Sequence, residues 1–167
     1  MFAVEKHSGT KTEIHDELLR QARGILEGER DAVANAANLS ALIWQCLPDL
    51  NWAGFYFVKR GELVLGPFQG KPACVRIAIG TGVCGTAVAR RMSLLVPNVH
   101  EFPGHIACDS ASNSELVVPL IRGGNVVGVL DLDSPLFDRF DAQDQVCCEA
   151  LAQSWIEDSD PMEGCDA

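Results

Sequence analysis

Apolar residues recur at helical spacing between residues 13 and 47, in two stripes that are separated by Gly28. Asp31 is placed to cap the N-terminus of the second helix, and Pro48 is placed to end that helix. The pattern predicts two helices that pack together through their apolar faces.

After Asn51 the period becomes that of β-strands. Residues 52–59 are rich in aromatic and β-branched side chains, and residues 62–65 return after an Arg60-Gly61 turn, which predicts a hairpin. Residues 74–79 are predicted to form a third strand. In it, the bulky aliphatic residues Val75, Ile77 and Ile79 alternate with Cys74, Arg76 and Ala78. Cys74 is therefore expected on the face opposite the bulky residues.

The second half of the chain combines short elements with one long loop. A glycine-rich step leads into a short helix over residues 82–91, and residues 94–96 form a short strand. Residues 97–114 show no sustained period, and a loop of this length inside a compact domain is usually functional. Two further strands joined at Gly123-Gly124, and a helix capped by Asp141, complete the predicted elements.

This order of elements predicts an α+β fold. Hairpin connections favour a mainly antiparallel sheet of five or six strands with helices packed on one face. The other face is then left for a ligand, under the long loop and the short helix. We expect residues 1–156 to form a single domain and residues 157–167, which are rich in acidic side chains, to form a solvated tail.

Composition and charge narrow the classes of function. The chain has 167 residues and a mean hydropathy of +0.09, which suits one domain with a sizeable core. A net charge of −10 has the wrong sign for binding nucleic acid or an anionic membrane. We also find neither an apolar run long enough for a membrane span nor a signal peptide. Seven cysteines, an odd number, indicate a reducing compartment, so a cytoplasmic protein is expected.

Three cysteines fall in segments around the free face of the sheet: Cys74, Cys84 and Cys108. Cys84 lies in the first turn of the short helix, where partial positive charge and unpaired N–H groups favour a thiolate. Cys108 follows His105 by three residues, and a protonated histidine or local N–H groups could activate it. Three inert buried thiols are the alternative, and inert thiols are expected for the other four cysteines: Cys46, Cys147, Cys148 and Cys165.

A zinc site in the long loop would have to use His100, His105, Cys108 and Asp109. The repeated paired spacing that is typical of zinc ligands is missing from these residues. We therefore predict no metal, and we expect the two histidines to order the loop through hydrogen bonds.

Carboxylates form a second candidate group. Asp131 and Asp133 lie two residues apart on one strand and therefore share a face. In a dry site, such neighbours keep one carboxyl protonated near neutral pH while the others bind an amine, whereas a solvated strand end is the alternative. A strict two-residue turn at Gly123-Gly124 would point Glu115 away from both aspartates. We predict a longer turn or a bulge that brings all three carboxylates to one face.

Two aromatic residues are candidates for a pocket wall. Trp52 and Tyr56 lie four residues apart on the first strand and share a face, with Gly54 between them leaving an open patch. Such a wall suits a methyl or thioether group, and packing of both rings in the core is the alternative.

Five stretches of the chain resemble motifs of the free methionine-(R)-sulfoxide reductases, which are single-domain enzymes with a GAF fold. The stretches read GPFQGKPAC, GVCG, FPGHIACD, SNSE and GVLDLDSP, and they begin at Gly66, Gly82, Phe102, Ser112 and Gly128. The resemblance runs from about residue 52 to residue 144. It implies a GAF-like catalytic domain over residues 1–156.

The resemblance also implies roles for the cysteines. Cys108 would attack the substrate, Cys74 would resolve the product, and Cys84 would be an auxiliary thiol. The reaction would reduce free L-methionine (R)-S-oxide to L-methionine through a cysteine sulfenic acid and an intramolecular disulfide. A thioredoxin-like dithiol protein would then reduce the disulfide, with no cofactor required.

The remaining site residues would bind the substrate. By resemblance, Glu115, Asp131 and Asp133 would hold the ammonium group and protonate the sulfoxide oxygen, and Trp52 and Tyr56 would flank the methyl group. Main-chain N–H groups near residues 110–113 would hold the substrate carboxylate, which makes binding residues of Ser110, Ala111 and Ser112. Such a covered pocket would exclude a peptide-linked methionine, and a homodimer is compatible with the sequence.

Two other functions are alternatives. A non-catalytic, small-molecule-sensing GAF module would make the cysteines incidental, but the sequence has neither an effector domain nor the motifs for bilin or cyclic-nucleotide binding. A peroxide-scavenging thiol enzyme would use Cys108 without needing three carboxylates.

Overall fold

The computed structural model describes residues 8–104 and 110–162. The helices within these ranges are α1 (Lys11–Leu26), α2 (Ala32–Cys46), α3 (Gly82–Arg90) and α4 (Ala142–Asp158). The strands are β1 (Trp52–Lys59), β2 (Glu62–Gly70), β3 (Arg76–Ala78), β4 (Leu94–Val96), β5 (Ser114–Arg122) and β6 (Asn125–Ser134). The order of helices and strands is the predicted one, and none of the described helices has the length and apolar character needed to cross a membrane.

The strands form one antiparallel sheet in the order β3-β2-β1-β6-β5-β4. Helices α1, α2 and α4 cover one face, where Phe55, Phe57 and Trp155 stack within the larger hydrophobic core. Helix α3 packs on the other face, in a smaller core that includes Tyr56 and Val83. The predicted α+β fold is confirmed, and so is the role of the short helix as a cover for the second face.

Helix caps match the sequence signals. Asp31 accepts hydrogen bonds from the main-chain N–H groups of residues 33 and 34 at the start of α2, and Asp141 forms a capping box with Asp144 at the start of α4. The buried Asp144 carboxylate also accepts hydrogen bonds from Lys11 at 2.6 Å and from Arg139 at 3.3 Å. Because Lys11 begins α1, this cluster joins the first helix to the last.

A β-bulge sets the register of β5 and β6. The turn at Gly123-Gly124 has two residues, since Arg122 pairs with Asn125. Farther along, Ile121 pairs with Val126 but Leu120 pairs with Gly128, so Val127 is the extra residue. This shift places Glu115 opposite Asp133, which confirms the predicted change of parity.

Two boundaries differ from the prediction. Strand β3 begins only at Arg76, and Cys74 precedes it and packs against the same core as Ile77. The expected placement of Cys74 on the opposite face is wrong because strand alternation does not extend to it. At the C-terminal end, α4 continues to Asp158 and Ser159 is fully buried, so the first residues of the expected tail belong to the folded part.

Candidate active site

Three carboxylates lie together on the α3 side of the sheet. Strand β5 supplies Glu115, and strand β6 supplies Asp131 and Asp133. Glu115 and Asp131 are each 6% exposed. The solvated strand end that was the alternative for these residues therefore does not apply to the Glu115–Asp131 pair.

Burial changes the protonation of this pair. It raises the pKa of Asp131 to about 7, although hydrogen bonds from Cys84 and Glu115 act in the opposite direction. Burial, together with the neighbouring charges of Asp131 and Asp133, raises the pKa of Glu115 well above its ordinary value. Glu115 therefore keeps its proton to a higher pH than an exposed glutamate does, which suits a proton donor.

Cys84 lies beside these carboxyls, in the first turn of α3. Helix α3 approaches β3 closely, because Gly85 lies so near the main-chain oxygen of Ala78 that a side chain would not fit. The Cys84 thiol donates a hydrogen bond to Glu115, with Sγ and Oε1 3.9 Å apart. Burial raises the pKa of Cys84 well above its ordinary value, and the charges of Asp131 and Glu115 raise it further. The thiolate predicted from the helix N-terminus is wrong, because desolvation and two acidic neighbours outweigh the helix dipole.

The same group has the geometry of a cation site. One ligand atom each of Cys84, Glu115 and Asp131 lie within 4.8 Å of one another. The pKa values of all three groups are raised, so these groups keep their protons to a higher pH than usual, and a metal would have to displace those protons. The absence of a metal stays a prediction.

Aromatic rings line the cavity beside the carboxylates. Trp52 stacks on Tyr56 with ring centroids 5.7 Å apart, and it also stacks on Phe68 with ring centroids 5.3 Å apart. The open patch predicted at Gly54 is wrong, since an added Cβ there would lie 2.7 Å from the Phe68 Cα atom. Sequence reasoning missed Phe68, although it falls within a motif, because a register shift in the β1–β2 hairpin after Gly54 decides its neighbours.

The resulting cavity has an empty volume of about 540 Å³, part of which opens to solvent. Trp52, Tyr56, Cys84 and the three carboxylates line it, as do Ser112 and residues 71–73 just before Cys74. The cavity wall combines an apolar side, suited to a methyl group, with an acidic side, suited to an amine.

Two buried polar atoms of the cavity wall have no hydrogen-bond partner among the described residues. They are the indole nitrogen Nε1 of Trp52 and the carboxyl oxygen Oδ1 of Asp131. Buried polar groups are almost always satisfied, so such atoms point to a ligand. One is a donor and the other an acceptor, which fits a ligand that carries both an oxygen and a cationic group.

The cysteines differ in state. Cys74 is bound in a disulfide, whereas Cys46, Cys84, Cys147 and Cys148 are buried thiols outside any disulfide. Burial raises the pKa of Cys147 to about 12 and that of Cys148 well above its ordinary value, which supports their interpretation as inert. Cys108, Cys165, His105 and Asp109 lie outside the described residues, so the attacking thiol stays a prediction.

The segment after the long loop is only partly available to a ligand. Ser112 is buried at the cavity, and its hydroxyl accepts a hydrogen bond from Asn51 at 2.9 Å. Ser110 is exposed and Ala111 is half-buried. The Asn113 N–H group donates to the main-chain oxygen of Ser134 at 2.8 Å, so its expected role toward a carboxylate is wrong. Asn113 lies one residue before β5, and this hydrogen bond extends the pairing of β5 with β6 by one residue.

His100 behaves as predicted from the sequence. Its Nε2 atom lies 2.9 Å from the side-chain oxygen of Asn113, and this contact ties the start of the loop to its end. The histidine therefore orders the loop beside the cavity.

Comparison with known proteins agrees with the fold and the site. The GAF domain model matches residues 12–154. Protein YtsP of Bacillus subtilis is 56% identical over 92% of this chain and 96% of its own length, and the free methionine-R-sulfoxide reductase of Escherichia coli is 53% identical over 81% and 82%. The structure of the free methionine-R-sulfoxide reductase of Neisseria meningitidis in complex with its substrate has a TM-score of 0.92 at 41% identity, with 95% of each chain covered.

The chain therefore belongs to the GAF family of domains. Within that family, it groups with the free methionine-R-sulfoxide reductases.

Proposed function

We propose that this protein reduces free L-methionine (R)-S-oxide to L-methionine. The observation that carries the proposal is the cavity, in which a protonated carboxyl, an anionic group and a stacked aromatic wall meet beside a cysteine that forms a disulfide. Relatives of known structure that bear the name of this enzyme share the fold over nearly the whole chain.

The cavity matches the substrate group by group. Asp131 and Asp133 provide negative charge for the substrate ammonium, and the otherwise unpaired Oδ1 of Asp131 accepts one of its hydrogen bonds. Trp52 and Tyr56 pack against the methyl group. Ser112 lies at the cavity wall, where it contributes to holding the carboxylate end, with residues 110 and 111 beside it.

The chemistry needs a nucleophile and an acid on opposite sides of the sulfoxide. The Cys108 thiolate attacks the substrate sulfur as Glu115 gives its proton to the departing oxygen. The protonated oxygen passes from the substrate sulfur to the cysteine sulfur as the bond between the two sulfur atoms breaks, so the cysteine becomes a sulfenic acid and methionine leaves. The Cys74 thiol then condenses with the sulfenic acid, which forms the disulfide and releases water.

A dithiol protein completes the cycle. Its thiolate attacks the disulfide, and its second thiol releases the reduced enzyme, so two electrons pass from the reductant. We infer a thioredoxin-like reductant and a cytoplasmic location, because the cycle requires a reducing compartment. Light scattering would decide between a monomer and the homodimer with which the sequence is compatible.

One assay tests the function. Each epimer of free methionine sulfoxide is supplied with dithiothreitol, to the wild type and to Cys108→Ser, and methionine is measured. We expect turnover of the R epimer by the wild type alone. Binding without turnover would instead favour the sensing module, and activity retained in Cys108→Ser would overturn the nucleophile.

The selectivity for the free amino acid has its own control. N-acetyl-methionine sulfoxide lacks the ammonium that Asp131 and Asp133 hold, so it should be reduced far more slowly. An equal rate for both compounds would refute the role given to the carboxylates.

A further inference from the structure

The Tyr56 side chain joins the cavity to the segment that carries Cys74. Its ring is 2% exposed and stacks on Trp52 in the cavity wall. Its hydroxyl donates a hydrogen bond to the main-chain oxygen of Cys74, with an O···O distance of 3.0 Å. One side chain therefore contacts both the ligand space and the residue that forms the disulfide.

The hydroxyl is suited to a lasting donor role. Burial raises the pKa of Tyr56 above its ordinary value, and the nearby charge of Asp131 raises it further, so the group keeps its proton. The acceptor is a main-chain carbonyl, whose position follows the backbone of Cys74 directly. The hydrogen bond therefore restrains the Cys74 backbone more directly than a contact with a flexible side chain would.

The Cys74 segment is irregular and connects β2 to β3. The main-chain N–H group of Leu65 donates to the oxygen of Val75 at 3.0 Å, which fixes the next carbonyl to strand β2. Tyr56 thus holds the Cys74 carbonyl from the cavity wall, and Leu65 holds the next carbonyl from strand β2. A restrained segment presents its thiol at a higher effective concentration.

We propose that Tyr56 is a positioning residue whose hydroxyl holds Cys74 in the conformation that closes its disulfide. This role is separate from packing of the ring against a substrate methyl group. The inference rests on the proposed function, in which the Cys74 disulfide is a step of the catalytic cycle. Its test, however, requires no turnover of a sulfoxide.

The test measures the disulfide equilibrium. Reduced protein is equilibrated in mixtures of reduced and oxidised dithiothreitol, where closure oxidises two protein thiols and reduces the dithiothreitol disulfide. Alkylation of the remaining thiols and mass spectrometry of the Cys74 peptide give the equilibrium constant. For Tyr56→Phe, which keeps the ring and loses the hydroxyl, we expect a fall of about 3- to 10-fold, the size typical of one lost hydrogen bond.

Ser40→Ala is a matched control. The Ser40 hydroxyl is fully buried and also donates to main-chain carbonyls, those of Ala36 at 2.7 Å and of Pro67 at 3.2 Å, but it lies in α2 on the opposite face of the sheet. This variant should leave the equilibrium constant unchanged, and urea unfolding of both reduced variants would show that each is folded. An equilibrium constant for Tyr56→Phe within twofold of wild type would overturn the proposal.

If methionine sulfoxide were not turned over but the equilibrium shifted as expected, only the proposed function would fail. If turnover occurred without that shift, only the positioning role would fail.

Discussion

Replacing Asp131 by asparagine should make the stability of the protein less dependent on pH. Burial raises the pKa of Asp131 from 3.8 to about 7. A carboxyl whose pKa is higher in the folded state binds its proton more tightly there. Its stabilising contribution is fully present below pH 3.8 and is lost as the pH rises to about 7.

The pKa shift gives the size of the effect. Moving a pKa from 3.8 to about 7 corresponds to about 4 kcal/mol of unfolding free energy, at about 1.4 kcal/mol for each pH unit. The isoelectric point of about 4.7 makes acidic measurements prone to precipitation. Between about pH 5.5 and about pH 8.5, roughly 2 kcal/mol of the contribution is still to be lost.

Urea unfolding, followed by circular dichroism under reducing conditions, measures this change. Relative to wild type, Asp131→Asn should gain about 2 kcal/mol between the acidic and the alkaline end of that range. The loss of the Asp131 charge also lowers the pKa of Glu115, which flattens the profile further.

Asp141→Asn is the matched control, because its pKa shift has the opposite sign. A hydrogen bond from Lys11 lowers the pKa of Asp141 to about 2, so its contribution is lost only below the tested range. Asparagine also caps a helix well. The profile of Asp141→Asn should therefore run parallel to wild type, and a parallel profile for Asp131→Asn would refute the reasoning about burial.

Three further predictions concern the site. Glu115→Gln should lower kcat by about a hundredfold or more and remove the alkaline decline of the pH–rate profile, since the acid that must be protonated is lost; an unchanged profile would contradict this. Gly54→Ala should lower stability by about 3 kcal/mol in thermal unfolding, because its Cβ would collide with Phe68, and an unchanged Tm would contradict the packing. Cys74→Ser should abolish the disulfide after one turnover whereas Cys84→Ala retains it, as peptide mapping can show; the opposite result would exchange their roles.

The sequence predicted the meeting of the three carboxylates but not the place of the bulge. Parity alone required one extra residue between Glu115 and Asp133. Its position depends on packing, because Gly128 lies so close to the main-chain oxygen of Tyr56 that no side chain fits there. Such a close approach involves a strand that is distant in sequence, and the local pattern carries no sign of it.

The errors at Gly54 and Cys84 have a common physical origin. At Gly54, the space left by the missing side chain is taken by Phe68 from the neighbouring strand. At Cys84, the N-terminal turn of a helix would favour a thiolate in solvent, but the fold buries the thiol against two carboxyls. In both cases a local rule was correct and a tertiary neighbour outweighed it.

The electrostatics of the cavity also determine where the nucleophile must come from. Burial beside acidic groups raises the pKa of Glu115, which suits a proton donor, and the same burial raises the pKa of Cys84, which makes its thiol a poor nucleophile. A site that stabilises its acid in this way cannot activate a thiol among the same carboxyls. Under the proposed function, we therefore expect the attacking cysteine to belong to a different segment, and Cys108, in the long loop of the sequence, stays the predicted nucleophile.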